Sequence, residues 1–433
     1  MSHHDVVVVG AGLAGLVAAV RLAEAGASVL VLAKGVGATH LSPCTIDVLG
    51  YDPEPVERPL EAVARLIAAR PDHPYAVAGP AGVADAIAWF TGCFEDGPLA
   101  PYGYVGDGAE NHVLPTALGA PRPSAVVPES MAAGDLRGGG EICVVGFRTL
   151  KDFYPLLMAD NLDRLDGVHA RGIELDLAAE GRADANALGV ARALEAPAFR
   201  AELVAQLAGR LGADERVALP AVLGIADPHG VWTELQEHLG RPVFEVPTLP
   251  PSVAGMRVYA TLTERLRRAG GRLILNVVVT GADRSGGARV TAVRARVGLR
   301  DVVHGADWVV LATGGFASGG LELDSRWTVR ETALGLPVVG VPTPGAERFH
   351  PAYFDEHPIG RAGVAVDGEG RPLEPGGGVA MDNVRVAGAT LAGAEPWREK
   401  SGDGLSLATG FRAAGSIMAA LGVGAGATAG TGG

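Results

Sequence analysis

The first fifteen residues constrain the fold of this chain more than any other segment. Asp5 and four valines read as a buried strand, and a glycine-rich turn follows at once, formed by Gly10, Ala11, Gly12, Leu13, Ala14 and Gly15. In a Gly-x-Gly-x-x-Gly turn the first glycine permits the tight bend, the second lets a pyrophosphate approach the backbone, and the third lets helix and strand pack closely. The pattern predicts a Rossmann-type unit with a helix over Leu13–Ala25 and a second strand over Ser28–Leu32. We expect all six turn residues to contact a phosphate-bearing cofactor.

The end of the second strand bears on which cofactor is bound. An acidic residue at this point usually accepts hydrogen bonds from the adenosine ribose. Here the strand is followed by Ala33, Lys34 and Gly35, so that carboxylate is missing and a positive charge lies beside its place. Lys34 is either a ligand for a terminal phosphate, as in FMN or NADP, or a solvated lysine at a strand end. With Lys34 and Gly35 as candidate contacts, the sequence favours FMN, with FAD as the alternative.

Two later segments favour a flavin over a nicotinamide. A buried strand ends in Thr313 and Gly314, and a further strand ends at Gly388 before a loop, Ser401–Gly404, that begins a helix. Both are similar to flavin-contacting motifs of two-domain flavoproteins. A helix N-terminus there would place positive dipole near the N1–C2 carbonyl, where charge accumulates on reduction. We therefore add Thr313, Gly314, Gly388, Gly404 and Leu405 to the candidate flavin contacts.

The loop after the second strand lies where this superfamily passes its chain beneath the flavin ring. Ser42 and Thr45 are candidate hydrogen-bond donors to that ring. His40 raises the alternative of a covalent attachment, but a non-covalent flavin is the main expectation. Cys44 is interpreted as a buried small residue rather than a redox thiol.

The rest of the chain repeats short apolar runs followed by helical periodicity, which is typical of an α/β fold with parallel strands. We predict a discontinuous Rossmann-type flavin-binding domain formed by residues 1–70, 246–320 and 376–433. Residues 71–245 are expected to form an inserted second α/β domain, and residues 321–375 a cap or substrate-side segment. Ser252 is placed to cap a helix that runs to Ala269.

Charge and cysteine content narrow the classes of partner. Lys plus Arg number 36 against 49 Asp plus Glu, a net charge of -13, which disfavours nucleic acid and anionic membrane surfaces as direct partners. The three cysteines are widely spaced without a Cys-x-x-Cys pair, so we expect no metal or iron–sulfur cluster bound by this chain alone. The expected location is the cytoplasm, without direct membrane insertion.

Several segments together resemble the B-subunit of the anaerobic glycerol-3-phosphate dehydrogenase. They are the opening glycine turn, the acid-free second strand, His73-Pro74-Tyr75, the stretch from Leu249 to Arg257 and the stretch from Ala312 to Leu321. The resemblance implies an FMN-using flavoprotein subunit that takes part in oxidising glycerol 3-phosphate to dihydroxyacetone phosphate. It also implies two partners, a larger FAD-bearing catalytic subunit and an iron–sulfur subunit that anchors the complex and passes electrons to a quinone. The chain would then lie at the inner face of the cytoplasmic membrane.

Oxidising an alcohol at a flavin needs a base for the hydroxyl proton, and a phosphate substrate needs cations. His350, His357 and Arg361 cluster in one segment and are the candidate catalytic residues, with a solvated surface loop as the alternative. A partner subunit that oxidises the substrate would make them unnecessary. Two other functions stay open: a free-standing FAD oxidoreductase of the fumarate reductase type, and a scaffold subunit that has lost its flavin.

Overall fold

The computed structural model describes residues 2–179, 183–353 and 355–423. The strands are β1 (Ser2–Val9), β2 (Val29–Leu32), β3 (Tyr104–Val105), β4 (His112–Pro115), β5 (Pro121–Ser124), β6 (Val127–Pro128), β7 (Gly140–Phe147), β8 (Val168–Leu175), β9 (Arg216–Pro220), β10 (Val243–Val246), β11 (Arg272–Ile274), β12 (Val277–Ser285), β13 (Arg289–Val297), β14 (Arg300–Leu311), β15 (Leu321–Leu323), β16 (Val329–Glu331) and β17 (Val384–Val386). The helices are α1 (Leu13–Glu24), α2 (Pro59–Ala69), α3 (Tyr75–Glu95), α4 (Glu129–Ala132), α5 (Pro155–Leu162), α6 (Ala187–Leu194), α7 (Pro197–Leu207), α8 (Pro228–Leu239), α9 (Val253–Arg268), α10 (Pro396–Glu399) and α11 (Gly402–Leu421).

A mixed sheet organises the first part of the fold. Its order is β11-β2-β1-β14-β13-β12, and β17 also pairs with β14. The strands β11, β2, β1, β14 and β17 are parallel, as in a Rossmann-type unit, whereas β12 and β13 form an antiparallel extension. The long β14 serves both parts, because its first half pairs with β13 and its last three residues pair with β17. The predicted α/β fold class is confirmed.

The central strand β1 is buried on both faces. Val6 and Val8 pack on one side with residues of α1, α3, α9 and α11. Val7 and Val9 pack on the other side with the antiparallel strands and with residues from 333 to 391. Side chains alternate between the two faces of a strand, so four consecutive valines supply two separate cores.

A second, fully parallel sheet has the order β10-β9-β7-β8. It lies between Gly140 and Val246 and has its own apolar core. The expected boundary at residue 71 differs from this packing, because α3 lies in the first core through apolar residues such as Ile87, Phe90 and Phe94. We propose that the second domain begins near Leu136, which packs in the second core. Residues 424–433, which we expect in the flavin-binding domain, lie outside the described residues.

Helix α9 connects the two sheets. It begins as predicted, because the Ser252 Oγ accepts a 3.0 Å hydrogen bond from the Gly255 N–H. Arg257 is fully buried and donates hydrogen bonds to both carboxylate oxygens of Glu245, to the Gly224 carbonyl and to the Tyr102 hydroxyl. This buried ion pair links α9 to β10 of the second sheet.

Among the described residues, α3 and α11 have the length and apolar composition of membrane-spanning helices. Both contribute buried residues to the first core, and they pack against each other there.

Candidate flavin site

A cleft of about 510 Å³ runs along the carboxyl ends of the parallel strands of the first sheet. Its lining includes the glycine turn with the start of α1, the end of β2 with the following loop, the loop after β14, and the N-terminus of α11. This edge is where ligands bind in open α/β sheets. The segments are remote in sequence, and the parallel strand order brings their ends together.

The glycine turn has the geometry of a phosphate cradle. Gly10 has a φ of +113°, and a Cβ there would overlap the carbonyl of Ala312, so both conformation and space require glycine. Gly15 does not line the cleft, although we expected it to contact the cofactor. A Cβ on Gly15 would overlap the Gly10 carbonyl oxygen, so glycine is needed for the close packing of α1 against the turn. The Cβ position of Gly12 has no atom within 4 Å and opens into the cleft.

Gly12 is also the N-cap of α1, and no side chain caps that helix. The first backbone N–H groups of α1 are therefore available to an anion in the cleft, and the helix dipole favours negative charge there. Leu13 and Ala14 line the cleft beside them.

At the end of β2, Ala33, Lys34 and Gly35 all line the cleft. The Lys34 Nζ reaches across to the loop after β14, where it lies 3.6 Å from the position that a Cβ on Gly319 would take. Beyond Ala33 the wall is apolar, formed by Val277–Val279 at the start of β12. This wall was not predicted; β11 pairs with β2, and the Val277 N–H donates a 3.0 Å hydrogen bond to the Ala33 carbonyl.

Hydroxyl groups of two threonines connect the loop after β14, the segment that follows β17 and helix α11. Thr313, Gly314 and Gly388 line the cleft, as expected of flavin contacts. The Thr390 Oγ1 accepts a 3.0 Å hydrogen bond from the Gly314 N–H, and the Thr409 Oγ1 accepts one of 2.8 Å from the Gly388 N–H. Thr409 lies in α11, so this helix is tied directly to the end of β17.

At α11 the structure corrects two candidate contacts. Gly404 and Leu405 face away from the cleft, and a Cβ on Gly404 would come within 2.7 Å of the Tyr75 hydroxyl oxygen. Asp403 and Ser406 line the cleft instead. The two residues are three positions apart in α11 and therefore share one helical face.

Of the two hydroxyl candidates in the loop after β2, only Ser42 lines the cleft. Its Oγ donates a 2.7 Å hydrogen bond to the Asp403 Oδ2 and accepts one of 3.0 Å from the Cys44 N–H. Thr45 is a correction: it is fully buried below the cleft, where its Oγ1 donates to Asp47. Thr39 was missed, although its buried Oγ1 has no hydrogen-bond partner within the described residues and the residue lines the cleft.

His40 does not line the cleft, because its ring packs edge-on against Tyr259 with ring centroids 5.0 Å apart. Burial raises the pKa of the Cys44 thiol well above its usual range, so this residue is a packed thiol rather than a reactive one.

Asp403 is the carboxylate of the cleft lining in the described part of the chain. Burial and then the negative charge of Asp47 raise its pKa to about 6, against the smaller opposing effects of Ser42, Arg122 and Lys400. Asp47 is itself paired with Arg122, whose Nη2 lies 2.8 Å from its Oδ2. The carboxyl of Asp403 therefore changes charge close to neutral pH.

The structure brings His350, His357 and Arg361 together, but none of them lines the cleft. The His357 Nδ1 accepts a hydrogen bond from the His350 N–H, and its Nε2 donates to the Tyr353 carbonyl. Arg361 is ion-paired with Glu395 at 3.0 Å and with Glu356 at 3.2 Å. Their catalytic role stays a prediction.

Comparisons with known proteins agree with this geometry. The family model described as FAD binding domain matches residues 5–405. A probable anaerobic glycerol-3-phosphate dehydrogenase B-subunit from Halobacterium salinarum is 35% identical, covering 94% of this chain and 96% of the relative. The anaerobic glycerol-3-phosphate dehydrogenase B-subunit of Yersinia enterocolitica is 33% identical, covering 96% and 98%.

Among solved structures, a 3-ketosteroid delta1-dehydrogenase from Sterolibacterium denitrificans is 13% identical with a TM-score of 0.49, covering 97% of this chain and all of that chain. The family model and the two B-subunit relatives span nearly the whole chain. This protein is a flavin-dependent oxidoreductase that belongs to the B-subunit family of anaerobic glycerol-3-phosphate dehydrogenases.

Proposed function

We propose that this chain holds FAD in the cleft and takes part in oxidising glycerol 3-phosphate to dihydroxyacetone phosphate. The observation that carries the proposal is the single cleft joining the glycine turn to the N-terminus of α11, in a chain similar to the B-subunit relatives over nearly its full length. A bound flavin would supply a reversible acceptor for two electrons.

The residues of the cleft fit a flavin. The open Cβ position of Gly12 and the free N–H groups of α1 suit the phosphates. The unpartnered Thr39 hydroxyl, Ser42 and Asp403 supply polar groups at the α11 end, where the flavin ring belongs by similarity to two-domain flavoproteins. These polar groups favour a chain that binds a flavin over a scaffold subunit that has lost its flavin.

The preference for FMN is not confirmed, and we propose FAD. The family model that matches the chain is an FAD-binding one. The cleft also continues past the glycine turn to Ala33 and the valine wall, Val277–Val279, which would enclose an adenosine. Without a carboxylate at Ala33, the ribose hydroxyls would rely on backbone groups or on water.

We further propose that a larger partner subunit oxidises the substrate and that this chain carries the electrons onward. Glycerol 3-phosphate needs cations for its phosphate, yet the cation of the cleft lining, Lys34, follows β2 and reaches toward Gly319, at the end of the cleft that we assign to the cofactor. Arg361 is neutralised by two carboxylates. An iron–sulfur partner would take the electrons to a membrane quinone and hold this chain at the cytoplasmic face.

The decisive experiment is to purify the chain alone and with its two proposed partners, then to identify the flavin released by heat. We expect one FAD per chain, reduced by glycerol 3-phosphate in the complex but not in the isolated chain. Full reduction of the isolated chain by glycerol 3-phosphate would place substrate oxidation here. A chain that binds neither FAD nor FMN would favour the scaffold function, and rapid reoxidation of the isolated chain by fumarate would favour the fumarate reductase type.

The candidate catalytic residues are tested in the same complex. If His350 or His357 acts as the base, replacing it with alanine should lower turnover by at least about 100-fold while flavin content is unchanged. If their role is structural, the variants should lose stability and retain turnover per folded molecule.

A further inference from the structure

Within the described residues, no cation forms a hydrogen bond or an ion pair with the carboxyl of Asp403, although Arg122 and Lys400 act on it at longer range. Its hydrogen bond comes from the neutral Ser42 hydroxyl, and it lies in the first turn of α11, facing the cleft. A second polar group at the same end points to a ligand: Thr39 is 4% exposed, lines the cleft and has an unpartnered Oγ1. Thr39 and Asp403 both line the cleft, and the Thr39 hydroxyl has no partner within the described residues.

The neighbouring acid differs in this respect. Asp47 accepts hydrogen bonds from Thr45 and from Ser124, at 2.9 and 2.7 Å, and is paired with Arg122. The groups that face Asp403 from the surrounding elements are Ser42, Cys44, Asp47, Tyr75, Tyr104, Arg122 and Lys400. Asp47 and its partners form a compensated cluster, so Asp403 is the member with freedom to change its protonation.

We propose that Asp403 is the proton acceptor that balances the charge of flavin reduction in this cleft, an inference that rests on the proposed function. Two electrons entering a cleft lined by the Asp403 carboxylate, with the Asp47 carboxylate nearby, raise the free energy of the ionised form of Asp403. The carboxylate of Asp403 then takes a proton from water and forms an O–H bond. When the electrons leave to the iron–sulfur partner, that bond breaks and the proton returns to water.

Asp403 therefore compensates the charge of the cleft and does not act as a base for the substrate. Its carboxyl is ionised in the oxidised protein above its pKa of about 6, which leaves it able to gain a proton at neutral pH. The N-terminal end of α11 stabilises negative charge at this place, and protonation of Asp403 leaves that stabilisation to the reduced cofactor.

The test uses the full chain loaded with FAD and reduced by dithionite at pH 7.5. A reduced-minus-oxidised infrared spectrum should show a new band of a protonated carboxylic acid that shifts in D₂O. The band should be absent in Asp403→Asn and retained in Asp52→Asn, a control at an exposed carboxylate. The pH dependence of the midpoint potential should correspond to one proton fewer per two electrons in Asp403→Asn.

A second variant covers the case in which Asp403→Asn does not retain flavin. Ser42→Ala removes the hydrogen bond to the carboxylate, so the band should reach half its amplitude at a higher pH than in the unaltered protein. A yellow protein that lacks the band, or a band that persists in Asp403→Asn, would overturn this inference alone. A protein that binds no flavin overturns the proposed function as well.

Discussion

The Oγ of Ser42 donates a 2.7 Å hydrogen bond to the Oδ2 of Asp403, 361 positions further along the chain. This bond joins the loop after β2 to the first turn of α11 at one end of the cleft. Neither residue shares a strand or helix with the glycine turn, yet both face the same cleft. The electrostatics of that end therefore depend on two segments that only the folded sheet brings together.

Replacing Gly12 tests whether the glycine turn binds the phosphates of the cofactor. A valine there is compatible with the backbone, since φ is -75°, but its side chain would occupy the open part of the cleft. Gly12→Val should remain folded and lose its flavin, measured by absorbance and by thermal unfolding. The control is Gly92→Ala in α3, where a Cβ also meets no atom within 4 Å; it should keep the flavin and gain up to about 1 kcal/mol of stability. Normal flavin content in folded Gly12→Val would refute the cradle.

Replacing Ala33 tests whether the adenosine of FAD binds at the end of β2. Glutamate at this position would supply the acceptor that ribose hydroxyls lack, and a hydrogen bond to a charged group is worth about 1.5–3 kcal/mol. Ala33→Glu should therefore bind FAD more tightly relative to FMN, by roughly 10- to 150-fold, in competitive titrations of the apoprotein. An unchanged FAD-to-FMN ratio would show that the adenosine does not lie beside Ala33.

Asp403 should lower the stability of the flavin-free protein at neutral pH. Burial and Asp47 raise its pKa from 3.8 to about 6, so the folded chain binds the proton more tightly than the unfolded chain. The protonated carboxyl therefore contributes its full stabilisation of the folded state below pH 4, and this stabilisation is lost as the pH rises through 6. Asp403→Asn should be more stable than the unaltered protein by about 3 kcal/mol at pH 8 and nearly equal to it at pH 4, by urea unfolding.

The contribution of Glu399 to the stability of the folded chain should have the opposite pH dependence to that of Asp403. Burial raises its pKa, but the hydrogen bond and charge of His73 and the pairing with Arg70 outweigh that effect and lower it to about 2. The stability it contributes is present above pH 4.5 and is lost as the pH falls toward 2.

Glu399→Gln should therefore cost about 2–3 kcal/mol at pH 7, with the difference from the unaltered protein vanishing in acid. The control is Glu61→Gln, which breaks an exposed pair with Arg58 and should change stability by less than about 1 kcal/mol. Equal effects of the two variants would contradict the role of the buried Glu399 contacts.

The sequence by itself determined the fold class, the flavin family and most of the phosphate end of the cleft. Local chemistry is sufficient there, because the glycine turn joins a strand to the helix that directly follows it. The same is true of the cap at Ser252, which depends on residues three positions apart.

The tertiary structure alone decided which residues from remote segments complete the cleft at each of its two ends. Val277–Val279 reach the Ala33 end through the pairing of β11 with β2. At the α11 end, the packing of the helix in the first core turns Asp403 and Ser406 toward the cleft instead of Gly404 and Leu405. The position of α3 in the first core was likewise decided by packing between distant segments. These features depend on strand order and helix rotation, which contacts between residues far apart in the chain determine and local sequence patterns do not encode.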